Sequence, residues 1–318
     1  MDDVFRYIWG EYRVWAETSR ALKRRITGTG TLVLLVTLLG TACGALAPLV
    51  PATHPIVLAV PWAVTVMPWV SAALLGLATF LTNQLLGESE RMNWVKARAV
   101  AEAFKSEAHK YVTGAPPYDT PDAPHLLAQK AADLQRVVPG VITAPVTPEA
   151  RAHGSPAGRW SVDEYITHRM REQIDAFYRP AVARHAHAVS TAKRLALGFG
   201  ALAVLLSLAG SSFGRWPAAV LGVVTTAAVS VAAWFQGGHH QQLALNYQST
   251  ISKLELLLAQ HRASRLAGTQ LILAAEAIMQ AEHAAWLAEW QAAPAPGPTP
   301  AAPPAGADAE VPPGQPVG

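Results

Sequence analysis

Charge is what this chain has least of, and its gaps fall in two places. Between Arg25 and Glu88 there is no Asp, Glu, Lys or Arg, and between Arg194 and Lys253 the only one is Arg215. Charged residues make up 15% of the 318 positions, against roughly 25% in an ordinary soluble domain. A soluble helix needs a polar face, so uncharged stretches of this length exclude a water-soluble globule and read as membrane. Cysteine is nearly absent as well. Cys43 stands alone, which excludes an internal disulfide and leaves the redox compartment unread. The "LLGTAC" ending at Cys43 has the look of a lipoprotein box, but a long mixed-charge amphipathic segment precedes it instead of a short basic leader. A retained membrane helix is expected there.

What remains is greasy and arranged in pairs. Residues 29–49 and 61–82 are near the ~20 residues that cross a bilayer, and Pro48, Pro51 and Pro55 mark the turn between them. Residues 56–60 can lie in the interface, with Pro61 and Pro68 placed to kink the second span. Residues 195–213 and 217–236 form a second pair joined by a very short turn, with Trp216 and Trp234 at belt positions. The fold class expected is therefore all-α: two tandem transmembrane hairpins with long amphipathic helices outside the membrane.

Lysine and arginine set the orientation. Arg20, Lys23, Arg24 and Arg25 precede the first span, Arg91, Lys96 and Arg98 come after the second, and Lys193 and Arg194 precede the third. The hairpin turns hold only Arg215. The positive-inside rule puts both termini and the central segment in the cytoplasm of a bacterial inner membrane protein. The net charge of +3 belongs to these flanks, so it argues for orientation and not for nucleic-acid binding.

No span contains Asp, Glu, Lys, Arg or His. Pumps and ion-coupled transporters move charge through such groups, so a transporter is the weakest reading. Small and hydroxylated residues take their place. Gly40 and Gly44, and Ala203 and Ser207, have the small-xxx-small spacing of close helix packing. Thr37, Thr41, Thr225, Thr226 and Ser230 can bond between helices or line a pore.

Outside the membrane the chain repeats itself. "NWVKARAVAEAFKSEAHKY" from Asn93 carries Trp94, Ala97, Ala101, Phe104, Ala108 and Tyr111 at alternating spacings of 3 and 4, a coiled-coil seam. "NYQSTISKLELLLAQH" from Asn246 carries Tyr247, Ile251, Leu254 and Leu258 in the same manner. Trp94, Arg98, Glu102, Lys105, Tyr247 and Glu255 are the candidates for coupling to a signal. The bland alternative for Arg98, Glu102 and Lys105 is a solvated ladder of i, i+3 and i, i+4 pairs. Tyr12-Arg13 and Tyr178-Arg179 likewise precede the basic clusters of the first and third spans.

The units expected are residues 1–150, with exit helix 91–111 and a short helix from Ala123, and residues 160–291, with approach helix 161–194 opened by a Ser161/Glu164 capping box. "PGVITAPVTPEARAHGSPAGRW" between them reads as a flexible linker, and the Ala/Pro/Gly-rich residues 292–318 as disordered.

Catalytic, cofactor and metal sites are not expected. "GFGALA" from Gly198 fits a dinucleotide fingerprint, but it comes after a basic helix and lies inside a span. The histidines at 185, 187, 239 and 240 lack neighbouring Cys, Asp or Glu to complete a metal set. Glu276, Glu282 and His283 share a helix without a nucleophile.

Order and wording of these segments resemble one family. "YITHRMREQIDAFYRPAVARH" from Tyr165, "NYQSTISKLELL" and "EAIMQAEHAAW" resemble the approach, exit and closing helices of the SLATT domains, the SMODS and SLOG-associating two-transmembrane effectors. "WVKARAVAEAFKSEAHKY" resembles an element of the variant usually fused ahead of that family, which overlaps a former domain of unknown function. The resemblance implies a bacterial conflict-system effector that oligomerises in the bilayer and opens it when a nucleotide-signalling partner is triggered. The alternatives are a non-conducting membrane scaffold and, third, a small-solute transporter.

Overall fold

A computed structural model describes residues 2–47, 61–85, 87–136, 140–210, 216–236 and 238–292. Among these the chain is almost wholly helical and has no strand. The turn with Pro48, Pro51 and Pro55, residues 56–60, Arg215 and residues 293–318 of the tail fall outside the described residues.

The first helix, α1 (Asp3–Leu46), is an unbroken rod of 44 residues, about 66 Å long at 1.5 Å per residue. Asp2 caps it by accepting the Phe5 amide at 2.9 Å. Its first half turns Phe5, Ile8, Trp9 and Trp15 inward, and its second half is the first span. The second span is α2 (Pro61–Leu85), which starts on Pro61 and keeps Pro68 inside the helix. The exit helix α3 (Glu88–Thr113) ends on Gly114 at φ 64°. A side chain there would be strained, and a Cβ would also meet the Arg159 guanidinium at 2.6 Å. Then come α4 (Ala123–Arg136) and the short α5 (Pro148–Ala152).

The second unit opens with α6 (Val162–Tyr165), whose capping box is complete: Ser161 Oγ accepts the Glu164 amide and Glu164 accepts the Ser161 amide. The helix continues as two π-helical segments, Ile166–Arg171 and Gln173–Tyr178, into α7 (Arg179–Gly210). Residues Val162–Ala209 are thus one rod. The fourth span is α8 (Trp216–Gln236), and α9 (His240–Arg262) and α10 (Gly268–Ala292) complete the chain order.

Four of these helices are long and apolar enough to cross a membrane. Helix α1 packs on α2, α7 on α8, and α1 also on α8, which lays the spans side by side as α2–α1–α8–α7. Most of each span's surface is left uncovered by the chain, which suits contact with acyl chains.

Below the spans the helices gather into a head with two apolar clusters. One joins the start of α1 to α3 and α4 through Trp9, Phe104, Tyr118 and Leu127. The other joins the approach helix, α9 and α10 through Met170, Leu254, Leu271 and Ala275. Fully burying a residue of Leu or Met size contributes about 1.5–3 kcal/mol. Trp94 and Val95 of α3 belong to the second cluster and the rest of its seam to the first, so α3 ties the units together. Both expected seams are buried here against helices of the same chain.

The expected flexible linker is instead a strap along α1. Trp9 Nε1 donates to the His153 carbonyl at 3.2 Å, Arg13 Nε to the Ala150 carbonyl at 3.2 Å, and Thr18 Oγ1 accepts the Ala144 amide at 2.9 Å. Apart from the short α5, its prolines leave it without regular structure, so several of its backbone groups find partners on α1 side chains.

Candidate functional site

Where α3 of the first unit meets the second unit, the apolar packing gives way to a polar cluster. Its centre is Arg169, whose Nε and Nη2 donate to the two carboxylate oxygens of Glu276 at 2.9 and 3.0 Å. Tyr165 Oη donates to Glu276 Oε1 at 2.9 Å. Arg169 and Glu276 are 3% and 2% exposed, so the pair meets water only at the floor of a cleft. Burial alone would raise the Glu276 carboxyl, but Arg169 overrides it and holds the group down at about 2.

The π-helical segments bring these groups together. A π turn spans five residues per hydrogen bond, so the inward face slips along the sequence faster than in an α-helix. Tyr165, Arg169, Ile174 and Tyr178 are buried as a result. The α-helical spacing expected through Ile166, Met170, Ile174 and Phe177 therefore fails at its end, where Tyr178 takes the inside place and Phe177 is half-buried.

Helix α3 supplies the other wall. Lys105 Nζ donates to Gln173 Oε1 at 3.1 Å and stands 5.8 Å from the Tyr12 ring centroid. Arg98 hydrogen-bonds the Tyr247 hydroxyl, and the Glu282 and Glu102 carboxylates favour its charge. Gln280 Nε2 donates to Ser106 Oγ at 2.8 Å. His109 is buried, its Nδ1 2.6 Å from the Lys105 carbonyl. Burial first, then Arg169, pushes its pKa down to about 3, so the ring is neutral at pH 7. Between α3 and α10 lies a cleft of about 170 Å³ with Ala99 and Ala103 on one side, Met279 on the other and the Arg169–Glu276 pair at its floor.

Among the coupling candidates, Trp94, Arg98, Glu102, Lys105 and Tyr247 fall in or beside this cluster. Arg98 and Lys105 bond across to the second unit, while Glu102, four residues on from Arg98, still acts on the Arg98 charge. Glu255 lies apart: it is exposed and pairs with Arg179 at 2.7 Å. Arg169, Gln173 and Glu276 are functional candidates that sequence reasoning missed. Glu276 had a signal, being the lone charge in the apolar run from Leu271 to Met279.

Within the spans, a Cβ on Gly40 would meet Leu75 at 3.1 Å and one on Gly44 would meet Ser71 Oγ at 2.7 Å, so α2 approaches α1 closely on this face. Ser71 Oγ donates to the Gly40 carbonyl at 2.7 Å. Ala203 is half-buried and Ser207 exposed. Thr41, Thr225 and Thr226 each donate to a carbonyl four residues back, at 2.9, 2.8 and 3.0 Å. Thr37 and Ser230 are half-buried.

Residues 165–286 match the SMODS and SLOG-associating 2TM effector domain 1, the first of the SLATT domains. The second unit is a SLATT domain. Residues 11–125 match a family described as a protein of unknown function, DUF4231. No curated protein and no solved structure matches the chain. Arg169, Tyr247, Glu276 and Glu282 belong to the SLATT domain, and Arg98, Glu102, Lys105 and His109 to the DUF4231 region. The polar cluster is thus the seam between the two family regions.

Proposed function

We propose that this protein is a membrane effector whose spans assemble in the bacterial inner membrane and open it when a cytoplasmic signal rearranges the head. A nucleotide-signalling or nucleotide-sensing protein is the partner class proposed, and the description of the matched domain as SMODS- and SLOG-associating supports an associated partner. The observation that carries the reading is mechanical continuity. Asp3–Ala45 and Val162–Ala209 run unbroken from the head into the first and third spans, so a shift at the Arg169 seam is passed to the membrane as a rigid rotation or tilt. Spans free of Asp, Glu, Lys, Arg and His and rich in small residues support assembly by close packing.

Controlled expression in bacteria carrying a potential-sensitive dye tests this. Depolarisation on expression or on triggering by the partner is expected; a steady potential in both conditions overturns the reading.

A second reading, a non-conducting scaffold that recruits a partner to the membrane, draws on the threonine geometry. Thr225 and Thr226 hydroxyls are satisfied within their own helix, an arrangement that also suits contact with lipid.

A further inference from the structure

Just below the spans, cations from both units converge without matching acids. Lys23 of α1 lies with Nζ 5.8 Å from the centroid of the Trp94 ring. His185 of α7 and His240, the first residue of α9, bring their Nδ1 atoms to 2.7 Å, with Tyr247 5.8 Å from His185 and Phe235 6.2 Å from His240 by ring centroids. Arg184 precedes His185; α1 packs on α8, the helix just ahead of His240, and the Lys23 charge acts on both histidines. The acids of this layer are engaged elsewhere: Glu17 by Arg20 and Arg24, Glu90 by Arg25, and Glu102 and Glu282 by Arg98. Lys23 and Arg184 enter no ion pair among the described residues.

Lys23, Arg184 and the tilted His185–His240 pair form a positive patch bordered by the rings of Trp94, Tyr247 and Phe235. A metal ion does not suit it, because Lys23, Arg98 and Arg184 would repel the ion, and no group of three metal-ligating side chains occurs among the described residues. An anion does. We propose that Lys23, Arg184 and the His185–His240 pair bind a phosphate-bearing anion at the membrane edge of the head. The phosphate of an anionic lipid and a free phosphate offer the same chemistry; basic pockets between spans at this level are suited to lipid headgroups. Mutual repulsion supports the assignment. Burial, then Arg98 and Arg184, lowers Lys23, and burial, then His240 and Lys23, brings His185 to about 4. An anion relieves that repulsion.

The full chain in a neutral detergent, melted against dioctanoyl phosphatidic acid, dioctanoyl phosphatidylcholine and sodium pyrophosphate at matched ionic strength, tests this. A saturable rise in Tm with phosphatidic acid and none with phosphatidylcholine is expected. A matching rise with pyrophosphate assigns the site to soluble phosphates; its absence assigns it to lipid. Lys23→Gln with Arg184→Gln should weaken the apparent affinity at least ~10-fold, while Lys23→Arg keeps it and Lys193→Gln with Arg194→Gln leaves it within about twofold. No saturable response to either anion, or equal affinity in Lys23→Gln and Lys23→Arg, overturns the proposal. The readout is binding in detergent, so its failure is separate from a failure to depolarise.

Discussion

Arg169 and Glu276, more than a hundred positions apart in the chain, face each other as a buried, two-pronged ion pair. Each charge is tolerated only because the other is there. Removing one partner leaves an uncompensated buried charge and costs about 3–5 kcal/mol, whereas replacing both with apolar groups of similar size is far milder. Arg169→Met and Glu276→Leu alone should each lower the denaturation midpoint strongly, and the double variant should recover most of the loss. Additive losses in the double-mutant cycle would mean that the two groups do not depend on each other.

Acid attacks the same seam through His109. Its folded pKa of about 3 is depressed from 6.5, so the unfolded chain binds the extra proton first as pH falls. The stabilising contribution is fully present above pH 6.5 and is lost as pH falls toward 3. The loss at pH 5 is about 2 kcal/mol from this residue. His185 and His240, also depressed, push in the same direction. Melting the wild type and His109→Gln from pH 7.5 to pH 5 should give a shallower decline in the variant; parallel curves would remove His109 from the account.

The membrane half of this architecture was legible because bilayers impose a blunt rule: two long gaps in charge located all four spanning helices. Both seams were legible as well, through apolar spacing at Trp94, Phe104, Tyr247 and Leu254. What faces each seam was not. Arg98 and Lys105 could be named as coupling candidates but not given partners, because spacing along one helix says nothing about a neighbour 68 positions away, which is where Lys105 finds Gln173. Arg169 escaped because its inward position depends on π-helical turns, which have no reliable sequence mark. The strap escaped because prolines announce the absence of regular structure and not the absence of order.

That strap should detach before the head unfolds. It is held by individual hydrogen bonds from Trp9, Arg13 and Thr18, each worth roughly 0.5–1.5 kcal/mol. Trp9→Phe together with Arg13→Met should raise the rate of limited proteolysis within residues 140–160 several-fold, with little change in cutting elsewhere. Uniformly faster cutting would instead mean that α1 itself had loosened.

Gly44 fixes how closely α2 approaches α1. A Cβ there would sit 2.7 Å from Ser71 Oγ, and that hydroxyl is already committed to the Gly40 carbonyl. Gly44→Ala should therefore cost about 1–3 kcal/mol through overpacking, and Ser71→Ala roughly 0.6 kcal/mol through the lost interhelical bond. Gly76→Ala, where nothing lies within 4 Å, is the control and should not destabilise. Reversible unfolding in mixed micelles gives the ordering, and a neutral Gly44→Ala would show that the hairpin packs more loosely than this.

The threonines of the fourth span decide between opening the membrane and merely anchoring in it. Thr225 is exposed and Thr226 half-buried, and each donates its hydroxyl proton to its own helix. Each oxygen still has lone pairs that can accept from water, because a hydroxyl offers one donor and two acceptor sites. In an assembled pore those acceptors line the wet side; in a scaffold they face lipid and add nothing. Thr225→Val with Thr226→Val keeps the shape and removes both hydroxyls. On the effector reading the double variant should reach the membrane at wild-type level yet depolarise cells at least severalfold less in the dye assay. Undiminished depolarisation at equal membrane abundance would clear these residues of pore lining and move the conducting surface to another span.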